Sequence, residues 1–117
     1  MFASSDTPLT VREYLTASGR NPFREWMRGL DVSARARIQA RVLRFATGNL
    51  GDYKSVGGGV WEARIMFGPG YRIYFGLDGR EVVLLLLGGD KSSQAEDVVR
   101  AHRFWKAYKE APGGTSQ

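Results

Sequence analysis

Residues 60–67, V-W-E-A-R-I-M-F, alternate in character, and residues 71–75, Y-R-I-Y-F, resume the alternation after Gly68-Pro69-Gly70. A period of two is that of a strand with distinct faces. Trp61, Ala63, Ile65 and Phe67 point one way, and Glu62, Arg64 and Met66 the other. The glycine–proline–glycine run is a tight turn, so the two segments form a hairpin. Pairing Phe67 with Tyr71 sets Met66 opposite Arg72 and Arg64 opposite Tyr74. Glu62, Arg64, Arg72 and Tyr74 then share one face, opposite Trp61, Ile65, Phe67, Ile73 and Phe75. Slipping the register by one residue would bury two arginines.

The neighbouring segments extend the hairpin into a sheet. Asp78-Gly79 is a second hairpin signal. Residues 82–87, V-V-L-L-L-L, are apolar on both faces, which predicts a central strand that Gly88-Gly89 ends. Upstream, Pro8–Thr16 reads as a strand, followed by a turn at residues 17–20. Asn21-Pro22 starts a short helix to about Leu30, with Phe23, Trp26 and Met27 on one side. Asp31 caps a second helix to about Thr47, with Ala34, Ile38, Val42 and Phe45 on its core face. Arg37, Arg41 and Arg44 form the adjacent stripe. Residues 51–59 read as a glycine-punctuated connection. Ser93 with Glu96 is a capping box for the last helix, which buries Val98, Ala101, Trp105 and Tyr108. The reading is a single α+β domain over residues 1–117: strand, two helices, three antiparallel strands, helix. The helices are expected on one face of a small twisted sheet. Residues 1–7 and 111–117 are expected to be flexible.

Composition narrows the classes of function. The 117 residues contain no cysteine, which removes disulfides, thiolate metal sites and a cysteine nucleophile. No metal-ligand spacing is present, and no cofactor is expected. Gly57-Gly58-Gly59 has no GK[ST] after it and is not a phosphate loop. His102, the one histidine, reads as a helix-surface residue, and Ser92 and Ser93 as capping residues. The N-terminus lacks a signal-peptide pattern and the longest apolar run is far short of a membrane span, so the expected location is cytoplasmic. Seventeen basic and 12 acidic residues give a net charge of +5, which points to a polyanionic partner. Residues 33–47 and 98–109 carry eight of the basic residues and no acid, so the excess belongs to two helices. Arg37, Arg41, Arg44, Arg103 and Lys106 are the candidate docking cations for RNA or the ribosome. A row of arginines is equally the pattern of an ordinary solvated helix face.

Lys91 follows the central strand at the mouth of the sheet face that holds Glu62, Arg64, Arg72 and Tyr74. Arginine forks suit phosphate and a tyrosine ring suits a base or ribose, so this face is the candidate for chemistry. A carboxylate two residues from an arginine is also the pattern of a plain surface ion pair.

The segments V-W-E-A-R-I (60–65), G-P-G-Y-R-I-Y-F (68–75) and L-L-L-L-G-G-D-K-S-S-Q (84–94) resemble the RelE/ParE toxin superfamily, in particular its HigB-like branch of addiction module killer proteins. V-R-E-Y-L (11–15), N-P-F-R-E-W (21–26) and A-R-A-R-I-Q-A-R (34–41) fit that branch too, so the resemblance runs from Leu9 to Tyr108. It implies a RelE-like fold and the toxin of a type II toxin–antitoxin pair, many of which cut mRNA on the ribosome without a metal. Arg72 matches the arginine used on the scissile phosphate, and Arg64 a basic strand position. Lys91 matches the basic residue that could protonate the leaving oxygen. Glu62 would be the base or an orienter of Arg64. The implied partners are a small helix-turn-helix antitoxin, the ribosome and mRNA, with operator DNA reached only through the antitoxin and no membrane. The chain departs from the family pattern near Asp97, where nuclease members carry tyrosine, and lacks the histidine that others carry after the strand. The acid and base assignments therefore stay open, with Tyr74 as a substitute. The alternatives are a ParE-like DNA gyrase inhibitor and a catalytically inactive antitoxin-binding module.

Overall fold

The alternating segments form the middle of a five-stranded mixed sheet in a computed structural model that describes residues 8–111. The strands are β1 (Thr10–Glu13), β2 (Tyr53–Ser55), β3 (Val60–Ile65), β4 (Tyr71–Asp78) and β5 (Val82–Asp90). Their order is β1-β5-β4-β3-β2; β1 runs parallel to β5 and the other pairs are antiparallel. The helices are α1 (Pro22–Arg28), α2 (Val32–Ala46) and α3 (Gln94–Glu110). Among the described residues, no helix is long and apolar enough to cross a membrane. The termini expected to be flexible lie outside the described residues, except Ala111, whose N–H bonds back to Ala107 at the end of α3.

The local signals explain the helix starts. The Asn21 side chain accepts from the Arg24 N–H at 3.0 Å, ahead of Pro22 in the first turn. The Asp31 side chain accepts from Ala34 at 2.8 Å. The capping box at Ser93 does not form: no cap bond comes from its side chain, and its hydroxyl donates instead to Asp97 Oδ2 at 2.6 Å.

Helices cover both faces of the sheet, not one. On one side Phe23, Met27, Ile38 and Phe45 of α1 and α2 pack on Ala63, Ile65, Ile73, Phe75, Val83 and Leu85. On the other side Ala101 and Trp105 of α3 pack with Tyr14, Val60, Tyr74, Leu84, Leu86 and Leu87. The doubly apolar β5 requires this, since neither of its faces tolerates water. Strand β2 forms within the glycine-punctuated connection 51–59, pairing Tyr53–Ser55 with Trp61–Ala63.

Glycine inside the sheet has a steric reason. A Cβ on Gly88 would collide with the Trp26 ring from α1, and one on Gly76 with the Trp105 ring from α3. A Cβ on Gly89 would collide with the Asp97 carboxyl. Strand β5 therefore runs through Gly88-Gly89 to Asp90 instead of stopping before them. Gly76→Ala is expected to lower stability by about 1–3 kcal/mol by overpacking Trp105. Thermal unfolding should show the midpoint falling by several degrees. An unchanged midpoint would mean that the ring does not rest on that backbone.

Candidate functional site

The site begins with strand register. Glu62 lies opposite Tyr74 and Arg64 opposite Arg72, with Ile65 opposite Tyr71. This differs by two residues from pairing Phe67 with Tyr71. An even shift keeps every side chain on its face, so the apolar pattern cannot distinguish the two registers. The turn decides: Met66–Gly70 leaves the ladder, with Phe67 N–H bonded to Ile65 O and Gly70 N–H to Phe67 O. Gly68 and Gly70 have φ of 59° and 82°, which other residues seldom adopt.

The structure brings Glu62, Arg64, Arg72 and Tyr74 to one face as expected, but Glu62 and Tyr74 lie under α3 rather than in the open. Glu62 and Tyr74 are both 0% exposed. Tyr74 therefore offers no ring to solvent for stacking on a base. Burial holds its hydroxyl well above the usual tyrosine range, and the Glu62 carboxylate adds to this. Glu62 Oε2 accepts from Gln94 Nε2 at 2.9 Å and lies 3.6 Å from Arg72 Nε. Glu62 Oε1, Tyr74 Oη, Arg64 Nε and Arg72 Nε are buried and make no hydrogen bond within the protein. Four such atoms on one face of β3 and β4 make a polar enclosure inside an otherwise apolar layer.

Outward from this enclosure the cations approach solvent. The Arg72 side chain is 12% exposed, and its Nη1 donates to Gly70 O at 3.1 Å. Arg64 is 40% exposed, with Nη2 3.5 Å from Asp52 Oδ2. Lys91 is exposed at the first position of a short 3-10 turn that leads into α3. Its Cβ and Arg72 Nη1 flank Gly70, 3.9 and 3.8 Å from where a Cβ would stand.

The helix cations do not form one surface. Arg37 is exposed, its guanidinium 4.3 Å from the Phe67 ring centroid, and Arg44 is exposed on the same layer. Arg103 and Lys106 are exposed on α3, across the sheet. Arg41 is no docking residue: it is buried, donating to Arg64 O at 2.8 Å, Asp52 O at 2.7 Å and Leu50 O at 3.4 Å. Positions 34, 38, 41 and 45 form one stripe, and Arg41 lies on it while Val42 is only half-buried. Gly51, with φ of 69°, has no Cβ to meet that guanidinium. His102 is half-buried, its Nε2 2.9 Å from Val56 O.

Residue reading missed Gln94 and Asp97. Both fall on the stripe 94, 97, 101, 105 that turns α3 inward, which was the available signal. Asp97 is buried, and burial raises its carboxyl above the ordinary aspartate value against the opposing Ser93 bond.

The chain is 45% identical over 80 residues to an uncharacterized protein of Haemophilus influenzae, an alignment covering 68% of this chain and 81% of that one. No family model and no solved structure matches the chain.

Two substitutions test the buried polar groups. Arg41→Met leaves three carbonyls without their donor and is expected to cost about 3 kcal/mol in urea unfolding. A carboxyl with a raised folded pKa binds its proton more readily in the native state. Its stabilising share is complete below the unfolded pKa and is lost as pH rises through the folded pKa. The stability of Asp97→Asn relative to wild type should therefore increase from pH 3 to pH 6. A flat difference would show that Asp97 titrates alike in both states.

Proposed function

We propose that this chain, which belongs to one family with the Haemophilus influenzae protein, is the toxin of a type II toxin–antitoxin pair with a RelE-like fold. Its activity is ribosome-dependent cleavage of mRNA in the cytoplasm. A small helix-turn-helix antitoxin neutralises it and carries the pair to operator DNA. The observation that carries the reading is the facing pair Arg64 and Arg72, with Lys91 beside Arg72 at the same mouth. Like charges directly opposite in a sheet repel. A phosphate between them converts that repulsion into charge-assisted bonding.

The chemistry follows from those positions. In metal-free RNA cleavage the 2′-hydroxyl gives up its proton, here to solvent water, as its oxygen bonds to phosphorus and the bond to the 5′-oxygen breaks. The products are a 2′,3′-cyclic phosphate and a 5′-hydroxyl, and negative charge builds on the non-bridging oxygens. In this reading Arg72 and Arg64 hold those oxygens, and exposed Lys91 gives its proton to the leaving oxygen. Burial of Glu62 and Tyr74, the two other groups able to exchange a proton with the sugar, favours a second reading. That reading is a ParE-like inhibitor that binds DNA gyrase and cuts nothing.

Induction without antitoxin separates the two. The nuclease reading expects translation to stop at once, with mRNA cut within codons on ribosomes. Arg72→Ala should lower cleavage by about 10²–10³-fold. Filamentation and a DNA-damage response with intact mRNA would establish the gyrase reading instead.

A further inference from the structure

We infer that Gln94 and Glu62 form a positioning pair that aims Arg72 at its anionic ligand. This deepens the proposed RNA reading and rests on it.

Glu62 is 0% exposed, so it reaches no ligand in this arrangement. Its Oε2 faces two groups, Gln94 Nε2 at 2.9 Å and Arg72 Nε at 3.6 Å. The amide fixes the carboxylate from α3, and the carboxylate attracts the inner nitrogen of the guanidinium as an ion pair, too far for a hydrogen bond. Gly70 O holds Nη1 at 3.1 Å, on the side where Lys91 begins. A planar guanidinium hydrogen-bonded at Nη1 and ion-paired at Nε has little freedom to turn, and 12% of the side chain still reaches solvent.

The start of α3 is itself anchored. Asp97 rests on the bare backbone of Gly89, the residue opposite Arg72 in β4. Ser93 Oγ donates to Asp97 at 2.6 Å, and the Asp90 side chain accepts from Ser92 N–H at 2.8 Å. Gln94 follows directly, so its amide is delivered at a defined point over Glu62. An isolated buried carboxylate carries a large desolvation cost, and a surface ion pair would gain nothing from one. A carboxylate placed beneath the arginine lowers net attraction for RNA but restricts where the cation points.

Those opposing effects give the test its sign. Kd for a 2′-O-methyl single-stranded RNA octamer, which cannot be cleaved, is measured over a range of salt. Glu62→Leu removes a negative charge, and by charge alone should bind RNA more tightly. Positioning expects the reverse: about tenfold weaker binding, with a log Kd–log salt slope smaller by about 0.7, one phosphate contact. Gln94→Leu, which leaves net charge unchanged, should do the same and serves if Glu62→Leu fails to fold. Arg72→Ala should match both, and the Glu62→Leu/Arg72→Ala double variant should be no weaker than Arg72→Ala alone. Tighter or unchanged binding by Glu62→Leu and Gln94→Leu, with Arg72→Ala weakened, overturns the inference and leaves the RNA reading standing. Unchanged binding and slope in Arg72→Ala overturns both.

Discussion

Glycines at three places in the sheet let a side chain from a helix lie directly on backbone. Trp105 lies on Gly76, Trp26 on Gly88 and Asp97 on Gly89. A Cβ at any of them would push a helix away from its face. Each helix layer is thus located by a missing methyl group as much as by the apolar area it buries. The arrangement explains why a sheet covered on both sides tolerates glycine in β4 and β5, where entropy alone would discourage it. It also sets the height of α3 above the sheet, on which the polar enclosure depends.

That enclosure is an unusual use of a core. Around it, Val60, Leu86, Leu87 and Ala101 pack as an ordinary apolar layer. At one end the layer gives way to a buried carboxylate, a buried phenol and the inner nitrogens of two arginines. Such groups stabilise a fold less than apolar residues of the same volume would. Their value lies in fixing direction. The two arginines emerge from one rigid floor, and Lys91 joins them from the start of α3. Some basic residues on the outer faces of α2 and α3 rest on aromatic rings, Arg37 over Phe67, Arg100 over Phe104 and Lys109 over Trp105, rather than on a buried carboxylate.

Much of this was legible in the residues. The alternation of β3 and β4, the caps at Asn21 and Asp31 and the central place of β5 follow from local pattern. So does the shared face of Glu62, Arg64, Arg72 and Tyr74. What failed has physical reasons. Gly88-Gly89 looks like a strand end because glycine is weak in strands, and only the Trp26 ring on Gly88 and the Asp97 carboxyl on Gly89 show otherwise. The two registers of the β3–β4 hairpin bury the same side chains, so only the conformation of residues 66–70 separates them. Residue type groups Arg41 with Arg37 and Arg44 as a docking cation; its place on the stripe with Ala34, Ile38 and Phe45 is geometric and outweighs residue type. The covering of both faces was implicit in residues 82–87, but expecting cover on one face left Glu62 and Tyr74 in water.

The parallel pairing of β1 with β5 joins Thr10 to Val82 and Glu13 to Leu85. The hairpins of β2 through β5 connect near neighbours, whereas β1 must wait for a partner made much later, at a high entropic cost of loop closure. During synthesis β1 emerges long before β5, and α3 follows β5. Gln94 cannot meet Glu62, nor Trp105 its glycine, until that helix is out. A nascent chain of this design holds its cations without their floor, and the face that would grip a phosphate is assembled only after the sheet has closed.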